Sequence, residues 1–133
     1  MQRYLLDTNI LIYTIKNRPQ QVRQRFELNE GSMAVSTVSL GELVFGAEQS
    51  EKPQENLRVI ESLIARLELL PFDEAAAFHF GQIRAELFNK GQPIGPFDTM
   101  IAAHARSCGL VLVSNITKEF ARVSGLRLEN WAN

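Results

Sequence analysis

The sequence holds a single cysteine, Cys108, among 133 residues, so no disulfide can form within the chain and a reducing, cytoplasmic setting is expected. No apolar run approaches the roughly 20 residues needed to span a bilayer, which excludes a transmembrane helix. The opening residues MQRYLLDTN run directly into folded-looking sequence, so no signal peptide is expected. There is no surplus of positive charge: 14 Lys and Arg stand against 15 Asp and Glu, a formal net charge of −1. That balance argues against a nucleic-acid coat protein. Repeats, linkers and low-complexity tracts are missing too, and the chain reads as one domain, residues 1–133, long enough to bury a core.

What is present is most informative where acid meets hydrocarbon. Asp7 in YLLDTNILIY, Glu42 in VSLGELVFG and Asp98 in PIGPFDTMIAAHA are each flanked by apolar residues, with no Lys or Arg beside them. An unpaired buried carboxylate costs several kcal/mol unless a cation, a proton or hydrogen bonds compensate. Three such groups imply a positive charge that the chain does not encode, and a divalent metal is the simplest source.

Apolar periodicity alternates between strand and helix. Strands are expected at Arg3–Leu6, Met33–Val38, Leu67–Phe72 and Leu110–Val113, with an edge strand at Leu126–Leu128. Thr8 is expected to cap a helix over Asn9–Lys16, and Pro19 to begin one that runs to Leu28. Ser39 is the expected cap of a helix from Leu40. Further helices are expected over Glu55–Arg66, from Asp73 to Asn89, and from Asp98 after the GQPIGP loop. Strands separated by helices predict a parallel sheet of four to five strands with helices on both faces.

In such a sheet, sites form beyond the carboxyl ends of the strands. Asp7 ends the first strand. Glu42 falls in the first turn of the helix after the second strand, and Asp98 opens a helix whose inward face carries Ile101, Ala102 and Ala105. Helix capping accounts for Glu42 or Asp98 taken singly; it does not account for three acids at topologically related ends. Carboxylate oxygens select hard Mg²⁺ or Mn²⁺ over zinc, and His79 and His104 read as helix residues rather than ligands. A metal so held beside a phosphodiester activates water and stabilises the leaving oxygen.

LLDTNILIYTIKNRP, VSTVSLGELVFGAE, GQIRAEL, KGQPIGPFDTMIAAHA and EFARVSGLRLENW, in this order along nearly the whole chain, resemble the PIN-domain ribonuclease toxins of the VapC type. The resemblance implies an α/β/α sandwich, Mg²⁺- or Mn²⁺-dependent cleavage of a structured RNA, with tRNA anticodon loops foremost, and neutralisation by a VapB-type antitoxin. It also implies a homodimer within a larger toxin–antitoxin assembly. The family's metal-ligand roles fall on Asp7, Glu42 and Asp98, and a supporting polar role on Asn9. The chain departs from the family in Val113–Phe120: aligned on Phe120, Ile116 stands where relatives carry Asn or Asp. Ser114 then matches the family's Thr, and Asn115 is the polar side chain nearest the gap. Either Asn115 shifts into the pocket, or the site lacks one ligand, or the position is peripheral and Ile116 is tolerated; the expectation is an active nuclease.

Two other readings use the same residues. A catalytically weak relative would only bind RNA or antitoxin. A receiver-like phospho-switch domain would draw on Asp73 and Lys118, but Asp7 lacks the neighbouring acid such a domain needs. Lys16, Arg18, Arg23 and Arg25 form a stretch with no intervening acid, a candidate RNA-binding edge, whereas Glu48 to Glu74 is acidic.

Overall fold

The structure, a computed structural model, describes residues 2–133. Its elements are β1 (Tyr4–Leu6), α1 (Thr8–Lys16), α2 (Gln20–Leu28), β2 (Met33–Ser36), α3 (Thr37–Glu48), α4 (Pro53–Ile64), β3 (Glu68–Leu70), α5 (Glu74–Asn89), α6 (Pro96–Cys108), β4 (Val111–Val113), α7 (Thr117–Phe120) and β5 (Leu128–Glu129). Five strands form one sheet in the order β3-β2-β1-β4-β5, and every pair is parallel.

The period-two alternation of β1 divides the core. Tyr4 and Leu6 join Ile10, Leu11, Phe26, Leu43, Ile60 and Trp131 on one face. Leu5 points the other way, into a cluster with Ile83, Leu87, Ile101, Ala102 and Phe120. Helices α1 to α4 therefore cover one face and α5 to α7 the other, which is the expected α/β/α sandwich. The small residues Ala102, Ala103 and Ala105 are fully buried, and they let α6 lie close to both the sheet and α5. None of the helices in the described residues is long and apolar enough to cross a membrane.

Several boundaries differ from the sequence reading, each for a local reason. The cap of α1 is Asp7, whose Oδ1 accepts the Ile10 N–H at 2.9 Å, and Thr8 is already helical. The cap of α3 is Ser36, whose Oγ accepts the Val38 N–H at 3.1 Å. That bond stops β2 before the β-branched pair Thr37 and Val38, which in sequence looked like more strand. Ser39, the expected cap, is buried inside the helix. Glu42 consequently lies in the second turn of α3. Helix α6 begins at Pro96, whose fixed φ and missing N–H suit a first helical position. Asp98 remains in its first turn.

Candidate active site

The chain leaves the central strand β1 toward β2 on one side and β4 lies on the other, so the sheet's switch point falls between β1 and β4. Asp7 stands there. Its N–H extends the ladder to Val113 O at 3.0 Å, and the residue is 3% exposed. Burial is the main force raising its carboxyl from 3.8 to about 6, and the charges of Asp98 and Glu42 add to it. Two groups oppose the rise by favouring the charged form: Ser114, and the Ile10 N–H. Ser114 is fully buried, and its Oγ also accepts the Ile116 N–H at 2.9 Å.

Asp98 is partly buried at the start of α6. Burial first, then the charges of Glu42 and Glu119, push its carboxyl above the ordinary aspartate range. Glu42 is fixed from the first turn of α1: Thr8 Oγ1 donates to Glu42 Oε1 at 2.6 Å. The structure thus brings Asp7, Glu42 and Asp98 into one electrostatic field. It adds Glu119 from α7, an acid to which the sequence reading assigned no role. The signal was available, an acid between helix start and buried Phe120, but its partner Asp98 is 21 positions away (119 − 98) and only the fold joins them.

Among the described residues no Lys or Arg pairs with any of these four acids. No three His, Cys, Asp or Glu side chains in the described residues are gathered tightly enough to hold an ion by themselves. An open arrangement of carboxylates fits Mg²⁺ or Mn²⁺ best, because Mg²⁺ keeps several of its waters and takes only one or two protein carboxylates. The raised Asp7 and Asp98 carboxyls show repulsion and desolvation that a cation would relieve.

The supporting residues separate. Asn9 is partly buried and lines a cavity of about 770 Å³ with Thr8 and Glu42. Asn115 turns toward α1, donating from Nδ2 to the Tyr13 hydroxyl at 2.9 Å, while its Oδ1 is buried without a partner. Ile116 packs against the core cluster that contains Phe120, Val123 and Leu112. Of the four cations, Arg23 is held by Glu27 at 3.2 Å and by Thr14 O at 3.1 Å. Arg25 pairs with Glu129 at 3.1 Å and lies over the Trp131 ring at 5.3 Å. Lys16 and Arg18 are exposed and make no ion pair among the described residues. Lys16 shares a cavity wall with Glu42.

The residues invoked for a receiver have structural duties elsewhere. Asp73 Oδ1 caps α5 through the Ala76 N–H at 3.0 Å, and Lys118 is exposed on α7. His104 is buried with its Nδ1 2.8 Å from Ser36 Oγ, and His79 Nδ1 accepts from Arg106 Nε at 2.9 Å. Both histidines support packing between elements.

A family model described as PIN domain matches residues 4–126. The tRNA(fMet)-specific endonuclease VapC of Shigella flexneri is 58% identical over 132 residues, 99% of this chain and 100% of that protein. The enzyme of the same description from Salmonella typhimurium is 53% identical over 131 residues, 98% of this chain and 99% of that protein. A crystal structure of DNA-bound VapBC from Salmonella typhimurium matches with a TM-score of 0.94 at 53% identity, covering 98% of this chain and 99% of that one. With sheet order, motif order and near full-length identity in agreement, the chain belongs to the PIN-domain family and, within it, to the VapC-type ribonuclease toxins of VapBC toxin–antitoxin systems.

Proposed function

We propose that this ribonuclease hydrolyses a phosphodiester in the anticodon loop of a tRNA, with tRNA(fMet) the leading substrate, in the cytoplasm and under the control of a VapB-type antitoxin. Asp7, Glu42 and Asp98 would hold Mg²⁺ or Mn²⁺, with Glu119 beside them. The observation that carries this reading is Asp7: a nearly inaccessible carboxylate at the sheet's switch point, raised to about 6, with two more acids acting on it and no basic partner among the described residues. The substrate follows the description of relatives that match along their whole length.

When bound, the metal supplies an activated water and charge neutralisation at the phosphate. The chain's own residues set the stage for it. The Asp7 carboxylate is aimed by the Ile10 N–H and Ser114, so it is held before any ligand arrives. Thr8 fixes the Glu42 carboxylate and leaves its second oxygen free of that bond. Asp98 and Glu119 supply the negative field that draws in a cation and disfavours uncompensated phosphate. A guanidinium matches such a ring, so an antitoxin arginine inserted among the carboxylates would displace the metal and silence the enzyme. A homodimer and a larger toxin–antitoxin assembly belong to the same proposal; exposed Phe78 and Leu28 are apolar surface of the kind that interfaces cover.

Purified protein is expected to cut tRNA(fMet) in Mg²⁺ or Mn²⁺ and to stop in excess chelator. Asp98→Asn is expected to be inactive at the same melting temperature or higher. Cleavage that persists in chelator, or in Asp98→Asn, would overturn the assignment.

A further inference from the structure

The cavity that Glu42 lines is walled in part by phenylalanine. Phe45 is 67% exposed and Phe97 54% exposed. Both line the cavity of about 770 Å³ that Thr8, Asn9, Glu42 and Met100 also line, a size typical of ligand sites, which run to roughly 300–1,000 Å³. Phe45 follows Glu42 by three positions in α3 and so shares its face, and Phe97 immediately precedes Asp98 in α6. The two rings therefore line the same cavity as Glu42, from two different helices.

We propose that Phe45 and Phe97 form a stacking platform for an unpaired base adjoining the scissile phosphodiester. This rests on the nuclease reading above. A phosphate brought to Asp7, Glu42 and Asp98 must lead its neighbouring nucleotides along an adjoining wall. Among the described residues no Lys or Arg lines this cavity and Glu42 does, so it repels phosphate. It offers aromatic faces instead, which take up bases splayed from a loop, with Thr8 and Asn9 in reach of base edges. What commits this wall to a base is the phosphodiester that the nuclease must bring to Glu42, which shares the cavity; an antitoxin side chain is the occupant that the test separates from it.

The test uses the full-length protein with a tRNA anticodon stem-loop and the variants Phe45→Ala, Phe97→Ala, Phe45→Trp and Phe97→Tyr. Each alanine variant is expected to raise KM by about 5- to 150-fold, the usual worth of one base–aromatic stack, with a much smaller change in kcat. The aromatic replacements are expected to restore KM. 2-Aminopurine placed beside the scissile linkage is expected to be quenched by wild-type protein and not by the alanine variants. Unchanged KM and quenching in both alanine variants overturn the platform. So does loss of antitoxin binding or of self-association with RNA kinetics intact, which gives the wall to a protein. Quenching is read without cleavage: wild-type protein that quenches but cuts nothing upholds the platform and overturns the hydrolytic reading, whereas cutting without quenching does the reverse.

Discussion

Thr8 Oγ1 and Glu42 Oε1 lie 2.6 Å apart across 34 positions of sequence, joining the first turn of α1 to the second turn of α3. The bond orients one carboxylate of the site while Asp7, the adjacent residue, caps the same helix. Polar partners of metal-binding carboxylates are typically worth about 10- to 100-fold in metal affinity or activity. Thr8→Val is therefore expected to raise the Mg²⁺ concentration needed for half-maximal cleavage by about that factor, and Thr8→Ser to leave it near wild type. Titrating Mg²⁺ against cleavage rate measures it; an unchanged requirement in Thr8→Val would make the bond purely structural.

Asp7 makes stability depend on pH in a defined direction. Its carboxyl is raised from 3.8 to about 6 in the folded, metal-free protein, chiefly by burial. The fold therefore holds a proton that the unfolded chain releases, so the contribution of Asp7 to stability is fully present below pH 3.8 and is lost as pH rises through 6. Above that, the ionised group costs about 3 kcal/mol, because each tenfold change in proton affinity is worth about 1.4 kcal/mol. Asp7→Asn removes this cost yet can still cap α1 through its amide oxygen. The variant is expected to melt higher than wild type at about pH 7 in chelator, with the difference vanishing near pH 4 and shrinking when Mg²⁺ stabilises wild type. Equal melting curves at neutral pH in chelator would refute it.

The three candidate acids were legible in sequence because burial pattern and topology agreed: apolar flanks on both sides, with Asp7 at a strand end, Asp98 in a first helical turn and Glu42 one turn further into its helix than expected. The alternation of β1 carried the two-faced sheet in the same way. What escaped was anything depending on which of two neighbouring polar residues wins a backbone N–H. Asp7 displaced Thr8 as a cap and Ser36 displaced Ser39, because either residue type satisfies the same orphan donor. The first displacement freed the Thr8 hydroxyl for Glu42, a contact set by helix docking rather than by local spacing. Glu119 and the Phe45–Phe97 wall likewise come from elements far apart in sequence.

The basic stretch divides by what the fold has already committed. Arg23 and Arg25 are engaged by Glu27 and Glu129, while Lys16 and Arg18 are exposed without an ion pair among the described residues. Neutralising Lys16 and Arg18 is expected to flatten the log–log salt dependence of RNA affinity by roughly 0.7 to 0.9 for every phosphate they no longer bind. Neutralising Arg23 and Arg25 should change the slope less and the melting temperature more. Filter binding across a salt series, with Asp98→Asn protein to prevent cleavage, tells the pairs apart; an equal slope change in both would mean the intramolecular pairs dissolve on RNA.

Ile116 decides whether the departure from the family pattern weakens the site. Its place in the sequence favours a lost ligand, since the residue closely follows β4 beside Asp7. In the fold, its side chain packs against the cluster around Phe120, Val123 and Leu112, and its N–H is held by Ser114 Oγ at 2.9 Å. The neighbouring Asn115 is turned to Tyr13. Ile116→Asn would then place a polar group against hydrocarbon and is expected to cost about 1–3 kcal/mol of stability. Ile116→Val, which keeps the packing, is expected to cost about 0.5–1.5 kcal/mol. Neither should lower the Mg²⁺ requirement, because the side chain leads into the core and the four acids already set the field. Melting curves beside Mg²⁺ titrations separate the cases. A more active Ile116→Asn at low Mg²⁺ would return the residue to the metal site and make the substitution a lost ligand after all.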